Sequence, residues 1–213
     1  MILTNLLSTG FAVTSLATLY FYLKARQNHI LAVRLMRETV VEMDAKDPYF
    51  NGHIKNVEYL SIELGKAMGI KGKRIKDMKL AIYLTEIGKI RIPDNILFKM
   101  EKLTKEELEI VKKHPVVASR MIEGIKGMKN IADIVRAHHE RYDGEGYPDN
   151  LLGNSIPIEA RIINIVDSYT AMISERPYKK SLSENEAIEE LKNGKNRQFD
   201  GKVVDKFIEI LKK

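Results

Sequence analysis

Residues 128–148 read MKNIADIVRAHHERYDGEGYP, and their pattern decides the fold. Ile131, Ile134, Val135 and His138 recur at the three- and four-residue spacing of one helical face. The run then breaks at Asp143-Gly144, Gly146 and Pro148: the glycines permit positive φ and the proline blocks continuation. The helical period returns on both sides of this stretch. Upstream, residues 30–44 carry Ile30, Val33, Met36, Val40 and Met43 before Pro48, and residues 53–68 carry Ile54, Val57, Leu60, Leu64 and Ala67 before Gly69. Residues 73–86 place Ile75, Met78, Ile82 and Leu84 ahead of Gly88. Thr104-Lys-Glu-Glu107 has the form of a capping box and opens a helix through Leu108, Val111 and Met121. Pro115 falls inside that helix and is expected to bend it. Downstream, residues 157–174 are apolar-striped, Ser183 to Glu186 form a second capping box, and Val203, Phe207 and Leu211 stripe the C-terminus. No period-2 run bounded by turns interrupts this series, so the expected class is all-α.

The chain has 213 residues, with 35 Lys+Arg against 29 Asp+Glu and a formal charge of +6. Absence of cysteine excludes disulfides, thiolate metal sites and cysteine nucleophiles. With no Trp and the positive charge spread along the chain, a nucleic-acid polymer is not an expected partner. The first 23 residues carry no charge, and Lys24, Arg26, Arg34 and Arg37 precede the first acid, Glu38. As a helix this head would reach about 35 Å, enough to cross a hydrocarbon core of about 30 Å. Positive charge behind it places the rest of the chain in the cytoplasm, anchored by one pass in the inner membrane. The alternative is a cleaved signal peptide at Ser15-Leu16-Ala17, which lacks a basic segment ahead of its apolar run. The expected division is an anchor at 1–23, a linking amphipathic helix at 24–46 and a helical domain at 47–213.

Four of the five histidines fall where chemistry is plausible. His53 opens one helix, His114 lies on an apolar stripe, and His138 continues another with His139 behind it. Asp167 ends the apolar run Ile162-Ile163-Asn164-Ile165-Val166, and a buried carboxylate must be paired or bound to a metal. Singly, each residue reads as a hydrogen-bonded core histidine or a capping acid. Together, imidazoles and acids on neighbouring amphipathic helices suit a divalent metal with nitrogen and oxygen ligands.

The string HHERYDGEGYP at 138–148 resembles the HHExxDGxGYP signature of the HD-GYP phosphohydrolases. Further elements follow in the family's order: Asp47 to His53, Gly88-Lys89-Ile90 with Ile92-Pro93-Asp94, His114-Pro115, Asp167 with Arg176-Pro177-Tyr178-Lys179, and Phe199-Asp200. The resemblance implies an HD-type multi-helix bundle that hydrolyses cyclic di-GMP with two divalent ions, iron or manganese. Carried over by position, His53 and Asp167 hold one ion, His114, His138 and His139 the other, and Glu86 bridges them. Lys89 and Glu86 take catalytic roles, while Lys89, Arg176 and Lys179 bind the substrate's phosphates. Gly146, Tyr147 and Pro148 form a surface for a GGDEF diguanylate cyclase partner. Apart from the resemblance, the uncharged head and the amphipathic segment at 30–44 could support a homodimer.

The chain departs from the family at its name. Thr85-Glu86 stands where the family has His-Asp, so the first ion loses an imidazole and the three-histidine set is expected to bind its ion more tightly. Tyr49 stands where members with three metals carry Glu, and Thr170 where many carry a second Asp. The implied alternative is a non-catalytic receptor or adaptor that binds cyclic di-GMP.

Overall fold

The computed structural model describes residues 24, 27, 30–42, 52–174 and 181–212. The head at 1–23, Tyr49, Arg176 and Lys179 lie outside the described residues. Among those described, no helix is long and apolar enough to cross a membrane. The chain divides into two compact units, 1–36 and 37–213. Residues 30–42 are helical (α1); Ile30, Leu31 and Leu35 of the first unit are exposed, and Val40 of the second is fully buried.

The second unit is helical among the described residues apart from isolated bridges. Its helices are α2 (His53–Ala67), α3 (Lys73–Leu84), α4 (Asp94–Leu97), α5 (Lys105–Val111), α6 (His114–Glu123), α7 (Lys129–Ala137), α8 (Ile158–Ile173), α9 (Glu184–Asn193) and α10 (Gly201–Leu211). A 3₁₀ turn, Glu86–Arg91, follows α3. Helix α8 is the central strut: Ile162, Ile163, Ile165 and Val166 are all at most 2% exposed, and α2, α3, α7, α9 and α10 pack on it. That burial around nearly the whole circumference is why its sequence reads as a continuous apolar run.

Both expected capping boxes form. Thr104 accepts from the Glu107 amide, Ser183 from the Glu186 amide, and each glutamate reaches back to its cap. The expected bent helix through Pro115 is instead two helices. Proline has no N–H and its ring clashes with the carbonyl four residues earlier, so α5 stops at Val111 and α6 restarts with Pro115 in its first turn. The consequence is functional, because the restart makes His114 the first residue of α6.

Two glycines set the geometry around the histidines. Gly52, at φ 83°, caps the start of α2 in a conformation costly for other residues and delivers His53 as the helix's first residue. Gly88 sits flush against α6; a Cβ there would lie 2.1 Å from the His114 carbonyl oxygen. The 3₁₀ turn carrying Glu86 and Lys89 therefore lies directly against the N-terminus of α6.

Candidate metal centre

His114 and His138 come from successive helix ends, the start of α6 and the C-cap of α7. Each spends its Nδ1 on a carbonyl three residues earlier: His114 donates to Val111 at 2.7 Å and His138 to Val135 at 2.6 Å. A carbonyl can only accept, so both Nδ1 atoms carry the proton and both neutral rings present a bare Nε2. Those two Nε2 atoms face each other at 3.3 Å. Two converging lone pairs repel unless a cation or a proton lies between them. His139 completes the group: the three histidines offer nitrogens that all lie within 4.8 Å of one another. This donor set suits a borderline divalent metal.

Burial keeps the imidazoles neutral. It pushes His114 down to about 4, with the neighbouring His138 adding to the effect. Burial likewise lowers His138 and takes His139 well below the ordinary value. Neutral imidazole is the form that binds metal, so no proton need leave at pH 7.

A second cluster adjoins the first. His53, Thr85, Glu86, His138 and Asp167 line one pocket whose remaining wall is Ile54, Val57, Ile82 and Ile163. His53 Nε2 lies 2.9 Å from Asp167 Oδ1. Asp167, read from the sequence as a buried carboxylate, keeps 36% of its side-chain surface exposed, because it faces this pocket and not the core. Burial opposes its charge, but the bond with His53 outweighs this and holds its carboxyl well below the usual range. For Glu86 burial is also opposed and outweighed, first by the Lys89 ammonium with which it is ion-paired and then by His114. Thr85 lines the pocket without a nitrogen ligand: its hydroxyl donates to the Ile82 carbonyl at 2.8 Å. Thr170 behaves similarly, donating to the carbonyls of Val166 and Asp167 at 2.9 and 3.0 Å.

The glycine-rich turn closes over His139. Tyr147 stacks on the His139 ring at 5.0 Å between centroids and 31° between planes. Of the residues expected on a partner surface, Gly146 is buried, and Tyr147 and Pro148 are half-buried. Gly144 does adopt positive φ, at 79°. Gly146 does not; it is required because a Cβ would lie 2.2 Å from the Arg141 amide nitrogen.

Residues 38–203 match the HD domain family. The chain belongs to that family, in its HD-GYP branch. This HD-GYP chain is 34% identical over 175 residues to the cyclic di-GMP phosphodiesterase response regulator RpfG of Xanthomonas campestris, covering 79% of the chain and 46% of the relative. It is 36% identical over 169 residues to a cyclic di-GMP phosphodiesterase of Thermotoga maritima, covering 78% and 46%. The chain thus spans a little under half the length of these relatives. Among solved structures, Bd1817, a HDG"Y"P protein from Bdellovibrio bacteriovorus, superposes with a TM-score of 0.66 over 88% of this chain and 64% of that one. At 18% identity this likeness shows the fold.

Two residues beside the histidines were not singled out by sequence reasoning as site residues, Glu140 and Asn164. Asn164 had a signal, as the lone polar residue in Ile162-Ile163-Asn164-Ile165-Val166.

Proposed function

We propose that this HD-GYP chain is a metal-dependent phosphodiesterase that opens cyclic di-GMP. The observation that carries the reading is the pair of bare Nε2 atoms converging at 3.3 Å beside His139, next to a pocket lined by Glu86 and Asp167. The names of its relatives supply the substrate. A bound divalent ion supplies water activation and neutralises charge at phosphorus.

The chain's own residues divide the remaining work. His114, His138 and His139 would hold one ion. His53, Glu86 and Asp167 would hold the other, with Asp167 exchanging its bond to His53 for the metal. Lys89 keeps an ammonium beside Glu86, where it suits a phosphate's charge. The apolar wall of Ile54, Val57, Ile82 and Ile163 lowers the polarity on one side of the pocket, which strengthens the electrostatic contacts beside it. Arg176 and Lys179 supply further phosphate contacts, a role supported by the sequence. The uncharged run 1–23 supports a single-pass anchor in the inner membrane. A GGDEF-type partner at the turn of 146–148 and a homodimer belong to the same reading.

Thr85 favours a second reading. Its hydroxyl is committed to Ile82, so the ion at His53 and Asp167 lacks the imidazole the family places there, and a cyclic di-GMP receptor needs only the three-histidine ion. Incubating the manganese- or iron-loaded chain with cyclic di-GMP and separating products by chromatography tests both. The enzyme reading predicts a linear dinucleotide or mononucleotide. Binding without turnover supports the receptor, and absence of both overturns the two readings together.

A further inference from the structure

Helix α7 ends at Ala137, and the backbone carbonyls of the buried turn that follows need donors. One side chain supplies two. Asn164 Nδ2 donates to His138 O at 2.9 Å and to Glu140 O at 3.1 Å, on either side of His139. Asn164 is only 9% exposed and lies one turn before Asp167 on α8. Its amide therefore ties the histidine backbone to the helix that carries the pocket's aspartate.

Glu140 continues the path. Its side chain is buried, at 2% exposure, and accepts from backbone amides: Asp149 N at 2.6 Å on Oε1 and Leu151 N at 3.0 Å on Oε2. That bond pair pins the far end of the glycine-rich turn to the residue after His139. Asn150 then donates to the Gly146 carbonyl at 2.6 Å, and the Tyr147 amide donates to His139 O at 3.3 Å. The Tyr147 ring is so held over the His139 imidazole.

We infer that Asn164 and Glu140 are positioning residues of the three-histidine metal site, setting the His138-His139 pair in register with Asp167 and holding Tyr147 against His139. The inference rests on the metal reading above. It differs from a plain helix-capping role in what each predicts. A cap stabilises the fold whether or not metal is present, whereas a positioning residue changes the affinity and geometry of the bound ion. Residues that orient metal ligands typically contribute about 10–100-fold in affinity.

The test is a titration of the metal-free full chain with Co²⁺, followed by its visible d–d absorption, for wild type, Asn164→Ala and Glu140→Gln. Glu140→Gln is isosteric, keeps the turn packed and turns one N–H₂ against a backbone N–H; it decides the matter if Asn164→Ala does not fold. Expected are Co²⁺ affinities about 10–100-fold weaker and a shifted d–d band in variants that retain wild-type helical circular dichroism. Folded variants with wild-type affinity and spectrum overturn the positioning role and leave the metal site standing. A wild type that takes up no Co²⁺ overturns the metal reading and this inference with it.

Discussion

The Nε2 atoms of His114 and His138 meet at 3.3 Å while each Nδ1 is committed to a carbonyl in its own turn. The geometry fixes both tautomers and aims both lone pairs at one point. It depends on how α6 and α7 pack and on the 3₁₀ turn beneath them, where Gly88 allows Glu86 and Lys89 to approach His114. Changes to that packing should therefore be felt in metal binding as well as in stability.

Gly88→Ala tests the packing. The new methyl would meet the backbone of His114 and Ala118, neither of which can rotate away. Overpacking of this kind costs about 3 kcal/mol at the upper end of its usual range. For a chain of this length that lowers Tm by about 6–12 °C. Thermal unfolding followed by circular dichroism should show the drop, with weaker metal retention in the folded variant. An unchanged Tm would mean the turn can shift freely and does not set the site.

Acid should destabilise the metal-free protein early. Burial holds His114 at about 4, whereas an unfolded chain's imidazole titrates near 6.5. Between those values the unfolded state binds the extra proton, so stability is full above pH 6.5 and falls as pH drops toward 4. His138 and His139, also lowered, add to the same trend. Glu86 and Asp167, whose carboxyls are held low, contribute stability that is lost only below about pH 4. Urea midpoints of the apo chain at pH 7 and 4.5 measure the effect, and His114→Gln should shrink the difference. Equal midpoints for the wild type would contradict the neutral, buried cluster.

The pair Thr85-Glu86 is predicted to limit activity. Thr85→His with Glu86→Asp places an imidazole and a shorter carboxylate at the edge of the pocket that already contains His53 and Asp167. Metal content should rise toward two per chain, and cyclic di-GMP hydrolysis by at least about tenfold, or about 1.4 kcal/mol. Nucleotide affinity should change little, since Lys89 is kept and Glu86→Asp leaves a carboxylate beside it. A wild type as fast as the double mutant shows that Glu86 suffices. Added metal without added rate moves the limit to Thr170, whose hydroxyl is turned to backbone carbonyls.

Much of this was legible in the sequence, for physical reasons. The stripe Ile131, Ile134, Val135, His138 marks a helix with an inward imidazole because burial of one face imposes the period. The capping boxes at Thr104 and Ser183 are local and so readable locally. A proline inside an apolar stripe predicts a bend from sequence alone, whereas in the fold Pro115 lies in the first turn of a new helix, where its missing N–H costs nothing. Asp167 read as buried because its neighbours are apolar, but one residue of a helix can face a pocket while the next faces the core. Tyr147 meets His139 across an irregular turn, and Asn164 meets His138 and Glu140 from another helix, and no local period encodes such contacts.

The most direct test of the account is to measure metal per chain and cyclic di-GMP turnover together. The anaerobically purified full chain would be compared before chelation, after chelation and after return of Mn²⁺ or Fe²⁺, with His138→Ala alongside. The account predicts that turnover follows metal content, disappears on chelation, returns with the ion, and is absent with most of the metal in His138→Ala. A stripped chain that hydrolyses cyclic di-GMP at the loaded rate, or a His138→Ala variant that keeps its full metal content, would contradict it.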